Sequence, residues 1–240
     1  MSLSQQRVLI IGGSNGMGLA AARSLAALNA EVLIAGRSQA NLDAALSSIQ
    51  GRAAGHVVDF TDAGSLAALF QRVGRIDHLV LAASANAAWG PFASTSTSAL
   101  RGALEGKLIG YWQSLQAALP HLRRDGSVIM LAGAASRTAM PGTAGLAAVN
   151  GAITQMAQTL AKELAPLRVN VVSPGLVDTP AYDAMPAEAK AGMFAGAAKS
   201  LPVGRTGTSE DVAEAIVYLV SNGFTTGALL DVDGGARMAA

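Results

Sequence analysis

The run Ile11-Gly12-Gly13-Ser14-Asn15-Gly16-Met17-Gly18 carries the first chemical signal in this chain. It follows the apolar stretch Val8-Leu9-Ile10-Ile11 and opens into Leu19-Ala20-Ala21-Ala22-Arg23-Ser24-Leu25. That order reads as strand, glycine turn, helix. Such a turn sets backbone N–H groups and a helix N-terminus against a diphosphate. Glycines let the ligand approach where a side chain would block it. The spacing Gly-x-x-x-Gly-x-Gly is one residue longer in its first gap than the common dinucleotide fingerprint. A tight structural turn is the other reading, so the remaining residues must decide.

The next contact in a dinucleotide site lies about 20 residues on, at the end of the second strand. There the sequence reads Ala35-Gly36-Arg37. No carboxylate is present to take ribose hydroxyls. A guanidinium is, and its charge and fork suit a 2′-phosphate, which favours NADP(H) over NAD(H). A solvated surface arginine is the alternative. Asp59 and Phe60 follow the third strand and are candidate cofactor contacts. Asp59 can accept from an adenine amino group or serve as a turn or cap residue.

These residues need a scaffold. Short apolar runs at residues 31–35, 55–58, 76–83, 127–132, 168–172 and 228–231 alternate with segments of helical spacing. The helical segments are expected over 38–50, 62–73, 96–121, 142–165 and 208–220, with Ser38, Asp62 and Thr208 or Ser209 as caps. With the first strand, this β-α-β-α rhythm implies one α/β domain over residues 1–240. It would be a doubly wound parallel sheet of about seven strands with helices on both faces. Ligands then sit outside the carboxyl ends of the strands.

Composition removes several function classes. The chain has 240 residues, 51% hydrophobic and 14% charged, with net charge +1. A balance so near neutral argues against nucleic acid or an anionic membrane as partner. There is no cysteine, hence no disulfide framework and no thiolate chemistry. No apolar run approaches the roughly 18 residues of a membrane span. The start lacks a secretory pattern, so the expectation is a cytoplasmic protein. His56, His78 and His121 are scattered without metal-ligand spacing, and no metal is expected.

Several ordered motifs together resemble the short-chain dehydrogenase/reductase family over nearly the whole chain. Ile11 to Gly18 matches its Thr-Gly-x-x-x-Gly-x-Gly turn, with Ile11 in place of the threonine. Asp59 falls where the family has an adenine-contacting aspartate. Pro174-Gly175-Leu176-Val177-Asp178-Thr179 resembles its Pro-Gly segment, and Asp231-Val232-Asp233-Gly234-Gly235 its C-terminal ending. The resemblance implies a Rossmann fold, a nicotinamide cofactor and a homotetramer or homodimer. It implies that Pro174, Gly175 and Val177 lie beside the nicotinamide and that Thr179 helps hold the carboxamide and diphosphate. The adenosine-side Asn-Asn-Ala-Gly falls on Leu81-Ala82-Ala83-Ser84, where Ala82 and Ala83 still allow close packing. The expected cofactor set is thus Gly12, Ser14, Asn15, Gly16, Met17, Gly18, Arg37, Asp59, Phe60, Ala82, Ala83, Asn150, Pro174, Gly175, Val177 and Thr179.

The reacting centre departs from the family. Its Asn, Ser, Tyr and Lys fall here on Lys107, Gly133, Leu146 and Asn150. No register shift recovers the pair, because the residues four beyond Tyr111, Tyr182 and Tyr218 are Leu115, Pro186 and Asn222. Leu146 carries no titratable proton. Lys and Asn stand exchanged between two positions expected to approach each other across the cleft. Lys107 is therefore expected to reach toward the nicotinamide ribose or substrate oxygen, with Asn150 on the ribose. A solvent-exposed Lys107 and a space-filling Asn150 form the alternative.

Ser136 and Tyr182 are the next candidate proton donors; Ser84, Asn86, Tyr111, Thr143 and Asp183 are weaker ones. Trp89 and Trp112 read as packing residues, Trp89 also as a lining of the substrate mouth. Residues 180–202, rich in Ala, Met, Gly and Pro, suggest an apolar lid over a small-molecule substrate, or a packed helix. No charge occurs between Arg137 and Lys162, which suits a helix facing another subunit. Two functions follow: an NADP(H)-dependent oxidoreductase with a non-standard site, or an inactive or non-redox NADP(H)-binding protein.

Overall fold

The computed structural model describes residues 3–84 and 88–238. Seven strands form one parallel sheet in the order β3-β2-β1-β4-β5-β6-β7. They are β1 (Arg7–Ile11), β2 (Glu31–Gly36), β3 (Ala53–Val57), β4 (Ile76–Leu81), β5 (Leu122–Leu131), β6 (Arg168–Pro174) and β7 (Leu229–Val232). The helices are α1 (Gly16–Ala27), α2 (Gln39–Leu46), α3 (Ala63–Val73), α4 (Thr97–Ala103), α5 (Gly110–Ala118), α6 (Ala144–Glu163), α7 (Ala187–Ser200) and α8 (Ser209–Ser221). The doubly wound sheet expected from the strand–helix rhythm is the one observed.

Sequence accounts for most of these boundaries. The Ser38 hydroxyl accepts from the Asn41 N–H, and the Asp62 carboxylate from the Ser65 N–H. Thr208 and Asp211 form a reciprocal capping box at the start of α8. The central strands are apolar on both faces because helices cover both. One core cluster, with Leu9, Leu79, Met130, Phe70 and Tyr111, lies beneath α3, α5 and α6. The other, with Ile10, Ile34, Val80, Leu25 and Ile216, lies beneath α1, α2 and α8. Each such fully buried aliphatic side chain contributes about 1.5–3 kcal/mol relative to exposure.

Two segments depart from the expected elements. The helix expected over 96–121 is interrupted between α4 and α5 by a π-helical turn, Leu104–Ile109. The apolar segment 180–202 holds a short 3₁₀ turn and then α7, which buries none of its residues.

One polar relay lies in the middle of the sheet, on the central strand β4. His78 is 5% exposed, and its ring nitrogens lie 2.8 Å from Ser127 Oγ and 2.8 Å from Gln6 Oε1. Loss of hydration pulls its pKa down from 6.5 to about 4. The unfolded chain therefore binds this proton at a higher pH than the folded chain does. Stability is lost as pH falls from 6.5 toward 4, by about 3 kcal/mol from this group. Urea unfolding at pH 7 and pH 4.5 should show most of that loss in the wild type and little in His78→Gln. Equal losses in both would remove His78 as the cause.

Candidate active site

The site begins where the sheet reverses its winding, between β1 and β4. The chain leaves β1 for β2 and β3 on one side, then returns to β4 on the other. This is the switch point where α/β sheets bind ligands. A cleft of about 350 Å³ opens there. Its wall includes Gly12, Ser14, Asn15, Gly16, Met17 and Gly18 from the turn, with Arg37, Phe60, Ala82, Ala83 and Thr179 from neighbouring strand ends. All of these are expected contact residues. Ile11, Gly36, Val58, Ser84, Pro180 and Ala181 complete the lining. Ile11, Gly36 and Val58 carry no side-chain chemistry, and only their place at strand ends could have marked them.

The turn is shaped by close approach. A Cβ on Gly12 would lie 2.4 Å from the Ala83 nitrogen, and Gly12 has φ +90°. A Cβ on Gly18 would lie 2.1 Å from the Gly12 carbonyl oxygen. Both positions accept only glycine. Asn15 is the N-cap of α1, in extended conformation, and its side chain caps nothing. No acidic residue stands in the first turn of α1. The first N–H groups and the positive end of the dipole thus face the cleft uncompensated, as an anion site requires. Arg37 is exposed at the cleft edge and makes no hydrogen bond among the described residues.

Some expected contacts are placed otherwise. Asp59 does not line the cleft; its carboxylate accepts from the Thr61 N–H at 3.0 Å and the Thr61 hydroxyl at 2.7 Å. Those bonds hold its pKa below the usual carboxylate range. The turn reading of Asp59 therefore describes its contacts. Pro174 and Gly175 lie behind the wall, in and after β6. A Cβ on Gly175 would lie 2.8 Å from the Asp233 Cα, so the Pro-Gly segment and the C-terminal Asp-Gly-Gly pack directly on each other. Val177 buries its side chain and bridges to Gly207. That bridge uses the Leu176 carbonyl and the Asp178 N–H, so the Val177 peptide groups point to the opposite side.

Asn150 also stands outside the cleft wall, in contact with Lys107. Lys107 Nζ donates to Asn150 Oδ1 at 2.8 Å and to the Ala132 carbonyl at 3.0 Å. Lys107 rides on the π-helical turn, and Asn150 is buried on α6. A Cβ on Gly133 would lie 2.9 Å from Asn150 Nδ2. The amide thus fills the space that a serine side chain would need. Gly133, Lys107 and Asn150 are one interlocked arrangement, at the carboxyl end of β5. The Lys107 ammonium is half-buried with no carboxylate on it among the described residues, and lost hydration lowers its pKa to about 8. Leu146 is half-buried on the same helix as Asn150.

The other candidate donors are mostly committed. The Ser136 hydroxyl donates to the Gly133 carbonyl at 2.9 Å, closing the turn after β5. Thr143 is buried and donates to the Met140 carbonyl. Tyr111 is fully buried and donates to the Ala83 carbonyl at 2.9 Å, and burial pushes its pKa up. The Tyr182 ring meets Phe194 edge-on at 5.5 Å, and burial raises its pKa also. Asp183 pairs with Lys190 at 3.0 Å. Asn86 lies outside the described residues. Trp89 and Trp112 are half exposed, at 57% and 50%, rather than packed. His121 stacks on Phe70 just beyond α5. Among the described residues no group of His, Cys, Asp or Glu could hold a metal, and no helix is long and apolar enough to cross a membrane.

Comparison with known proteins agrees with this architecture. A family model described as enoyl-(acyl carrier protein) reductase matches residues 12–237. An uncharacterized oxidoreductase of Methylorubrum extorquens is 32% identical over 99% of this chain and 100% of its own. A cis-4-hydroxycyclohexanecarboxylate dehydrogenase of Sinomonas cyclohexanicum is 31% identical over 98% of this chain and 97% of its own. A crystal structure of a small-chain dehydrogenase in complex with NADPH superposes with TM-score 0.84 at 30% identity, covering 98% of this chain and 100% of that one. The chain belongs to the short-chain dehydrogenase/reductase family of oxidoreductases.

Proposed function

We propose that this protein is an NADP(H)-dependent oxidoreductase that interconverts carbonyl and alcohol groups on a small molecule through a non-standard active site. The observation that carries the reading is the uncapped, acid-free N-terminus of α1 sharing one cleft with Arg37. The cradle fits a dinucleotide, since Gly12 and Gly18 let the turn pack close enough to leave the first N–H groups of α1 facing the cleft. The N–H groups of Ser14 to Met17 would hold the diphosphate and Arg37 the 2′-phosphate. Phe60, Ala82 and Ala83 would flank the adenosine, with Thr179 and the Val177 peptide toward the nicotinamide. A bound nicotinamide supplies hydride chemistry, and the protein positions and shields it.

The rest of the chain supports the same reading. Residues 180–202 form the substrate lid in this proposal, because α7 buries nothing and carries Met193 and Phe194. The uncharged α6, with Ile109 and Trp112 exposed nearby at 44% and 50%, suits a homodimer or homotetramer contact. The enzyme works in the cytoplasm in this reading, with no nucleic acid or membrane partner.

Arg37→Ala tests the cofactor assignment. Losing one charge-assisted hydrogen bond costs about 1.5–3 kcal/mol, so NADPH should bind roughly 10–100-fold more weakly. NADH affinity should stay as it is. Fluorescence titration with both nucleotides checks this, and an unchanged preference would remove the 2′-phosphate role. Leu146 at the family's tyrosine position favours a second reading, a nucleotide-binding protein without redox turnover. Tight NADPH binding with no oxidation of NADPH across ketones, aldehydes, quinones and imines would establish that second reading.

A further inference from the structure

We propose that the Lys107 ammonium is the proton donor to the substrate oxygen, held for that task by Asn150 and the Ala132 carbonyl. This deepens the oxidoreductase reading and rests on it.

The geometry begins with an unusual cation. A buried or half-buried ammonium normally pairs with a carboxylate. Lys107 faces two neutral oxygens instead, Asn150 Oδ1 and the Ala132 carbonyl. An ammonium has three N–H bonds, and these acceptors take two. The third has no partner among the described residues. Position completes the argument. The cleft wall comes from the ends of β1 and β4 on one side and from Thr179 to Ala181, after β6, on the other. The end of β5 lies between them in the sheet order, and that is where the Ala132 carbonyl holds Nζ.

Among the described residues, no other ionisable group on the elements packed against Lys107 competes for the role. On the elements packed against Lys107, Tyr111 spends its hydroxyl on the Ala83 carbonyl. Arg101 and Glu105 are exposed on the same helical stretch. Lys162 and Glu163 stand at the far end of α6, and Arg123, Arg124 and Asp125 at the opposite end of β5. Arg137, in the loop after β5, faces Asp231. None is bonded to Nζ. Burial alone brings this amine to a pKa of about 8, close to working pH, where a proton donor is most effective.

The step balances. Hydride addition at a carbonyl carbon leaves an alkoxide that needs one proton. An Nζ–H bond breaks, an O–H bond forms, and Lys107 becomes a neutral amine that water reprotonates. In the oxidative direction the neutral amine takes the hydroxyl proton. The exchange of Lys and Asn thereby dispenses with a tyrosine.

The experiment has two arms on the whole protein. In the first, formaldehyde with a borane reductant at pH 7.5 methylates exposed neutral amines, located by peptide mass spectrometry. Lys107 should react at least ~10-fold faster than Lys190, whose carboxylate partners raise its pKa while burial lowers that of Lys107. A Lys107 protected from formaldehyde overturns the proposal, since it would not face the substrate space. In the second, NADPH oxidation is followed with the best carbonyl of a mixed panel. Wild-type kcat/KM should fall above about pH 8, and Lys107→Arg should move that limb above pH 10. Lys107→Met should lose at least ~100-fold with its NADPH Kd unchanged. Equal rates and equal pH profiles in wild type and Lys107→Met overturn the proposal. A wild type that binds NADPH yet reduces nothing overturns the oxidoreductase reading and this role with it. A wild type that reduces carbonyls as fast as Lys107→Met does condemns Lys107 alone.

Discussion

Gly18→Ala should abolish nucleotide binding while leaving the sheet intact. Its Cβ would stand 2.1 Å from the Gly12 carbonyl oxygen, far inside van der Waals contact. The oxygen belongs to the backbone and the Cβ is fixed by it, so no rotamer change relieves the overlap. The glycine turn must open, and the N–H groups of the first turn of α1 then lose their common focus. We expect NADPH affinity to fall by at least ~100-fold, or about 3 kcal/mol, with a further stability loss of about 1–3 kcal/mol from overpacking. Gly102→Ala is the control, since nothing lies within 4 Å of its Cβ, and both losses should be absent there. Isothermal titration with NADPH and urea denaturation measure the two effects. A Gly18→Ala protein that binds NADPH as wild type does would show that the diphosphate does not sit on this turn.

The second large effect lies at Gly133. A serine there should disturb the contact between Lys107 and Asn150. The new Cβ would lie 2.9 Å from Asn150 Nδ2, so the amide must swing and release the Lys107 ammonium. Overpacking costs about 1–3 kcal/mol, and a half-buried cation that loses an acceptor adds to that. Asn150→Ala removes the obstruction. The double variant Gly133→Ser/Asn150→Ala should therefore be less destabilised than the sum of the single variants, by about 1 kcal/mol or more. Denaturation of the four proteins closes the cycle. Strict additivity would mean that Gly133 and Asn150 do not share space.

The glycine turn and Arg37, which share one cleft, were readable from local pattern because they are local. A glycine turn between strand and helix, and an arginine closing the next strand, announce themselves over short spans of chain. Asp59 shows the limit of that method. An aspartate after a strand suits a ligand or a nearby backbone, and Thr61, two residues on, takes its carboxylate first. The proposed reacting half depends on contacts of long range. Lys107 and Asn150 are 43 residues apart, and only their places relative to the family motifs suggested that they meet. The π-helical turn that carries Lys107 left no mark, because its residues have ordinary helical character. Residues 180–202 stay open between lid and helix for another reason. Ala, Gly and Met spaced without a strong apolar face announce neither helix nor loop.

The contact between Gly175 and Asp233 carries a consequence for how the molecule is made. The glycine turn lies between β1 and α1 and is made well before β6 and β7. The wall opposite it, at Thr179, follows directly on the segment that Asp233 backs, and β7 pairs with β6 through Val171 to Pro174. The segment facing the glycine turn is thus made without its backing, and gains it only once β7 and Asp233 have been added. Residues 229–235 therefore work as a latch on assembly, and a chain lacking them would leave the cleft wall at Thr179 unsupported.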